Sequence, residues 1–118
     1  MSGRPAVRDP DDRRLATAAG RLLSRVEHWE APRWSQPAEP DQAGQPSRAE
    51  LVHALVQRLA DLAAAAEGRP AQPVPRLDHD LSLPDQLKVM VADLRQAGAS
   101  PETLRAAAAD IEATAARL

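Results

Sequence analysis

The sequence predicts an all-α protein, a four-helix bundle-like domain with two long proline-rich connections. In four segments, apolar residues recur at the spacing of a single helix face. Residues typical of helix ends border these segments, and prolines are absent from their interiors. Apolar and polar residues nowhere alternate over the length of a strand. We therefore expect a flexible tail at 1–8 and one helical domain at 9–118, with helices at about 10–28, 48–67, 83–97 and 101–117.

The composition limits the classes of function. A chain of 118 residues is typical of one domain. The absence of cysteine excludes disulfides and thiolate chemistry. No apolar run is long enough to span a membrane, and the N-terminus lacks the apolar core of a secretory signal, so we expect a cytoplasmic protein without a membrane partner. A net charge of −2 with only two aromatic residues argues against nucleic-acid binding by bulk charge or base stacking.

Arginine outnumbers lysine 14 to 1, and alanine is abundant. We interpret this bias as the signature of a GC-rich coding sequence. In composition alone, the chain resembles small helical proteins of GC-rich bacteria, and that resemblance carries no function.

The first helix is predicted from Pro10 to about His28. Asp9 is placed as its cap, Pro10 occupies its first position, and acidic residues follow in the first turn, where the helix dipole favours them. The structural alternative is a three-helix core with this helix detached or swapped, because the connection that follows is long. The apolar stripe of the helix is formed by Leu15, Ala18, Ala19, Leu22, Leu23 and Val26.

The connection from Trp29 to Pro46 contains four prolines and no aliphatic residue larger than alanine. We expect its distal part, about 35–46, to be a mobile proline-rich linker. Trp29 and Trp34 fit two interpretations. They are packing anchors of the first half, or they are exposed partner contacts of the kind in which tryptophan is enriched.

The central helix is predicted to form the middle of the core, because its apolar residues cover about half of its circumference. Ser47 and Glu50 fit a capping box at its start. Gly68 is placed as its left-handed end residue. A proline-rich segment follows, in which we expect Val74, Leu77 and Leu81 to be buried so that it lies as a strap on the surface.

The last two helices are predicted to form a tight hairpin packed on the central helix. Ser82 with Asp85 resembles a second capping box, and Gly98 followed by Ser100 and Pro101 ends one helix and begins the next. The terminal helix has few large apolar residues, so it is a candidate for exchange between protomers or for docking a partner.

The sequence contains no motif for a cofactor, a metal or a nucleophile, and we expect none to be bound. His53 and His79, with nearby acids such as those of Asp78-His79-Asp80, are the residues on which a metal-binding or enzymatic function would have to rest. One such tripeptide supplies too few donors for a metal site.

A basic ridge on the first helix is the clearest non-structural feature. Arg14, Arg21, Arg25 and His28 fall within about 60° of one another at helical spacing, and Arg33 extends the ridge. The leading hypothesis is a non-enzymatic interaction module, an adaptor, regulatory or assembly subunit that binds another protein or itself. The alternative is a nucleic-acid-associated regulator that uses the ridge. The candidate partner contacts are Arg14, Arg21, Arg25, Trp29 and Trp34.

Overall fold

The computed structural model describes residues 9–38, 44–77 and 79–118, without the side chain of Asp9. Within these residues the chain is all-α, as predicted, and no strand is present. The helices are α1 (Asp9–Val26), α2 (Ala31–Ser35), α3 (Arg48–Ala66), α4 (Leu83–Gln96) and α5 (Pro101–Arg117), with a 3₁₀ turn at Asp80–Ser82 before α4. The predicted tail at 1–8 and part of the predicted linker, 39–43, lie outside the described residues.

Most of the predicted helix ends are confirmed. The Ser47 hydroxyl accepts a hydrogen bond from the Glu50 amide at 3.1 Å, and the Glu50 carboxylate accepts one from the Ser47 amide at 3.5 Å, so the capping box of α3 is complete. Gly68 and Gly98 have φ values of +69° and +72°, which suit glycine at the end of a helix. The Ser100 hydroxyl accepts from the Thr103 amide at 3.2 Å and caps α5.

The predicted capping box at the start of α4 is wrong. Ser82 has helical backbone angles at the end of the 3₁₀ turn, and its hydroxyl donates backwards to the His79 carbonyl at 2.6 Å. It therefore caps no amide of α4. The expected burial of Leu77 and Leu81 is also wrong, because both side chains are about half exposed (44% and 55%).

α1 and α3 each pack against both α4 and α5. The most extensive packing joins α1 to α5 and α3 to α4. The detached-helix alternative is therefore wrong. The predicted hairpin also needs correction, because α4 packs chiefly on α3, and α5 chiefly on α1, rather than on each other. The largest fully buried aliphatic side chains come from all four long helices: Leu15, Leu22, Leu55, Leu59, Leu83, Leu87, Leu94, Leu104 and Ile111.

The sequence analysis did not predict α2, which packs on α3 and carries the fully buried Trp34. Trp34 meets Trp29 edge to face, with ring centroids 5.0 Å apart. Beyond α2, the described ends of the predicted linker are paired. The Arg48 amide donates to the Gln36 carbonyl at 2.9 Å, and Pro37 forms an antiparallel bridge with Ser47. The entry to α3 is thereby held against the end of α2.

The second proline-rich connection is a strap over α3 and α4, as predicted. Gln57 of α3 accepts from the Val74 amide at 2.6 Å and donates to the Gln72 carbonyl at 3.0 Å. Gln86 of α4 donates to the Pro75 carbonyl at 3.1 Å. None of the helices in the described ranges has the length and apolar character needed to cross a bilayer.

Candidate functional site

A groove of about 450 Å³ runs between α1 and α5. Its floor is formed by Ala18 and Leu22 of α1, which are buried, and by Ala115 of α5, which is partly buried. Small residues on both helices permit their close packing, and the remaining rim is polar. The rim residues are Arg14, Thr17, Arg21, Arg25 and Glu112.

Arg14, the first residue of the predicted ridge, is engaged by an acid that the sequence analysis did not link to it. Its guanidinium donates to both carboxylate oxygens of Glu112, at 3.2 and 2.6 Å. Hydrogen bonding and charge attraction within this pair raise the pKa of Arg14 and lower the pKa of Glu112. Both side chains remain about half exposed, so the pair forms one end of the groove without closing it.

Arg21 and Arg25 complete the basic rim. Arg25 donates to the Ala115 carbonyl at 2.8 Å, which fixes the guanidinium over the groove without neutralising it. Neither Arg21 nor Arg25 forms an ion pair within the part of the chain that the structure describes. The structure thus places three residues of the predicted ridge, Arg14, Arg21 and Arg25, on one groove, and the last two form no ion pair among the described residues.

His28 and Arg33 do not belong to this groove. The His28 ring lies 3.7 Å from the Glu27 carboxylate and is strongly exposed. The guanidinium carbon of Arg33 lies 5.6 Å from the ring centroid of Trp29, and Arg33 shares a different pocket with Arg25. The groove itself ends at Arg25, because α1 ends at Val26 and the chain turns into α2.

Both tryptophans are buried, which favours their interpretation as packing anchors. Trp34 has no exposed surface, so the expectation that it contacts a partner is wrong for this conformation. Trp29 is 8% exposed, and the arginines at 33 and 48 cover its ring, at 5.6 and 5.7 Å from the centroid. A second, smaller pocket of about 250 Å³ is lined by Arg25, Trp29, Arg33, Arg48 and Leu118.

Arg48 is the residue of this second pocket that sequence reasoning missed. It occupies the first position of α3, where the positive end of the helix dipole disfavours a cation. This unfavourable placement is visible in the sequence. It could have marked Arg48 as a residue that makes contacts outside its own helix. Its guanidinium donates to Gln36 Oε1 at 3.1 Å and to the Leu118 carbonyl at 3.4 Å, so it joins α2, α3 and the end of α5.

The histidines named for metal or enzymatic chemistry have other contacts. The His53 ring is partly buried, with Nε2 3.0 Å from the Val74 carbonyl, so it helps to hold the strap against α3. His79 is exposed and precedes the 3₁₀ turn. Among the described residues, no three histidine, aspartate or glutamate side chains cluster as metal ligands would. Asp78 of the Asp-His-Asp tripeptide lies outside those residues.

No protein-family model matches the chain, and it matches neither a curated protein sequence nor a solved structure. The two basic concave surfaces are the features of the described residues that point to a function.

Proposed function

We propose that the protein is a small non-enzymatic interaction module of the cytoplasm, an adaptor, regulatory or assembly subunit. It binds an acidic segment of another protein in the groove between α1 and α5. The observation that carries the proposal is the unpaired positive charge of Arg21 and Arg25 beside an apolar floor that contains Leu22.

Charge complementarity supports an acidic occupant. A carboxylate beside Arg21 gains a charge-assisted hydrogen bond, because the nearby Glu112 carboxylate attracts Arg21 by charge but forms its hydrogen bonds with Arg14. Apolar side chains of the same segment find Ala18 and Leu22 below the rim. Pockets of this kind, with an apolar floor and a few fixed polar groups, are typical of binding sites.

The nucleic-acid alternative receives less support. Binding to a polyanion depends on several uncompensated cations in a row. Glu112 already neutralises Arg14, so among the described rim residues Arg21 and Arg25 are the arginines left to meet an anion. Two unpaired arginines on α1 suit a short acidic contact better than a long charged track.

A site-specific crosslinking experiment tests the proposal. A photoreactive amino acid replaces Thr17, an exposed residue on the groove rim, and in a control variant it replaces Val89, which is exposed on α4. We expect the variant at position 17 to crosslink an acidic segment of another protein, with and without nuclease, and the variant at position 89 not to do so. Equal crosslinking at both positions would refute the groove as the contact surface. Recovery that nuclease abolishes would favour the nucleic-acid alternative.

A charge-reversal pair then tests the role of the rim. Arg21→Glu combined with Arg25→Glu should reduce capture of the crosslinked partner at least about tenfold, since each lost charge-assisted contact costs about 1.5–3 kcal/mol. The control is Arg13→Glu, which also reverses an exposed arginine of α1 but lies outside the groove. Capture unchanged by the double substitution would show that the arginines do not recognise the partner.

A further inference from the structure

The second pocket is built where four parts of the chain converge. Arg25 comes from α1, Trp29 and Arg33 from the turn and helix that follow, Arg48 from the start of α3, and Leu118 from the residue after α5. The pocket has a volume of about 250 Å³ and is distinct from the groove, with which it shares only Arg25.

Three guanidinium groups line this pocket, and none of its lining side chains is acidic. Arg25 donates to the Ala115 carbonyl, and Arg48 donates to the Arg33 carbonyl, the Gln36 amide oxygen and a main-chain oxygen of Leu118. The oxygens of Ala115, Arg33 and Gln36 are neutral, so they orient a guanidinium but leave its charge in place. In the described parts of the chain, no acidic side chain forms an ion pair with any of the three arginines.

This arrangement contrasts with the rest of the molecule. Four other arginines that join helices each meet a carboxylate, in the pairs Arg14–Glu112, Arg58–Asp110, Arg95–Asp12 and Arg105–Asp11. The fold therefore has acids available for bridging arginines, yet none lies among the three at the pocket. Of the acids that follow Arg25 in the chain, Glu27 contacts His28, and Glu30 lines a neighbouring concave surface together with Arg33 without forming an ion pair with it.

The indole of Trp29 holds two of these cations in position. The guanidinium carbons of Arg33 and Arg48 lie 5.6 and 5.7 Å from its ring centroid, within the range of a cation–π contact. The edge-to-face contact with the buried Trp34 fixes the indole in turn. The cations are thus placed before any ligand arrives, which lowers the entropy cost of binding.

We propose that this pocket binds a phosphate monoester group. A phosphate monoester carries close to two negative charges at neutral pH and offers three oxygens, and it can accept from several guanidinium forks at once. A single carboxylate would compensate only one of the three positive charges. The inference is independent of the proposed partner groove, because Arg33 and Arg48 lie outside that groove.

The first test uses inorganic phosphate and the full chain. Two-dimensional NMR follows the arginine Nε–H and tryptophan Nε1–H signals during a phosphate titration at constant ionic strength, with acetate as the monoanionic control. We expect saturable shifts of Trp29, Arg33 and Arg48 at a Kd of about 1 mM or lower, with no shift at Arg13. The absence of saturation, equal shifts at Arg13, or an equal response to acetate would overturn the proposal.

The second test removes one charge. Arg33→Gln should weaken phosphate binding at least about tenfold, whereas Arg13→Gln should leave it unchanged. Arg33 is exposed and its side chain lies over the Trp29 ring, so the variant is expected to fold, as a thermal unfolding curve will show. Arg25→Gln provides a second removal of charge from another element. Binding unchanged in both pocket variants would refute the site.

Two further probes distinguish the source of the group. One is glycerol 3-phosphate, a small free ester, and the other is a short peptide with a single phosphoserine, compared with its unphosphorylated form. Tighter binding of the first supports a phosphorylated small molecule as the ligand, and tighter binding of the second supports a phosphorylated protein side chain. If neither glycerol 3-phosphate nor the phosphorylated peptide binds more tightly than the unphosphorylated peptide, the proposal is overturned.

Discussion

Replacement of Gly20 by alanine should stabilise the fold. Gly20 lies within α1 and is exposed, and a Cβ atom added there would have no neighbouring heavy atom within 4 Å. Gly98, at the end of α4, is the matched control. A Cβ atom added at Gly98 would be equally unobstructed, but its φ of +72° is one that side-chain-bearing residues rarely adopt.

The two substitutions therefore differ in backbone conformation and not in crowding. Alanine is favoured over glycine inside a helix by about 0.5–1 kcal/mol, which is the expected gain for Gly20→Ala. In the left-handed region, a Cβ atom costs about 1–2 kcal/mol. Alanine also restricts the unfolded chain, which offsets about 0.4–1 kcal/mol of this destabilisation. Gly98→Ala should therefore destabilise the protein by roughly 0.5–1 kcal/mol.

Urea unfolding followed by far-UV circular dichroism measures both changes. The midpoint should rise for Gly20→Ala and fall for Gly98→Ala at an unchanged m value. In thermal unfolding, the gain for Gly20→Ala corresponds to an increase in Tm of about 2–6 °C. A loss of stability in Gly20→Ala would mean that another group approaches this face of α1, and a gain in Gly98→Ala would refute the left-handed end of α4.

Three further perturbations test the packing and the polar contacts. Trp34→Ala should cost about 3–5 kcal/mol in urea unfolding, because it empties a fully buried site under α2. Since Arg14 lowers the pKa of Glu112 below 4.5, their pair stabilises the folded state above that pH, and its contribution is lost as the pH falls through the depressed value. Arg14→Gln should therefore make the stability less dependent on pH in acid titrations. Ser47→Ala should cost about 1 kcal/mol, whereas Ser82→Ala, which removes no helix cap, should cost less than about 0.5 kcal/mol by the same assay.

The helix ends could be predicted because they depend on residues close together in the chain. Ser47 meets Glu50 within one turn, and Gly68 needs only its own φ freedom. The error at Ser82 has the same local origin. Its hydroxyl had a second acceptor within reach, the His79 carbonyl, and the 3₁₀ turn brought that carbonyl closer than the first turn of α4.

Pairwise helix packing could not be predicted in the same way. The short link from Gly98 to Ser100 suggested that α4 and α5 are close neighbours, yet each packs mainly on a different helix. α2 was missed because five residues are too few to show a helical period, and its Pro32 looked like part of a linker. Burial of Trp34 against α3 stabilises this helix, and tertiary contacts of that kind leave no repeating pattern in the sequence.

Only part of the candidate site could be predicted from the sequence. Helical spacing alone places Arg14, Arg21 and Arg25 on one face, and the structure has them on one groove. Arg14 differs from Arg21 and Arg25 because it is ion-paired with Glu112. Glu112 is 98 positions away in the chain, so local sequence patterns do not show this pair. Tertiary contacts also place Arg48 in the second pocket. Its unfavourable position at the start of α3 could have marked it as a candidate site residue.

The distribution of ion pairs decides which arginines are available for binding. In the first half of α1, Asp11 and Asp12 pair with Arg105 and Arg95, and Arg14 pairs with an acid of α5. These contacts cancel the charge of that half. In the second half and the turn beyond it, the arginines bond only to neutral oxygens or lie over an indole ring. A net charge of −2, which argues against nucleic-acid binding by bulk charge, therefore conceals a separation of charge along one helix. Among the described residues, four arginines without an ion pair to an acidic side chain, Arg21, Arg25, Arg33 and Arg48, line the two concave surfaces near the end of α1.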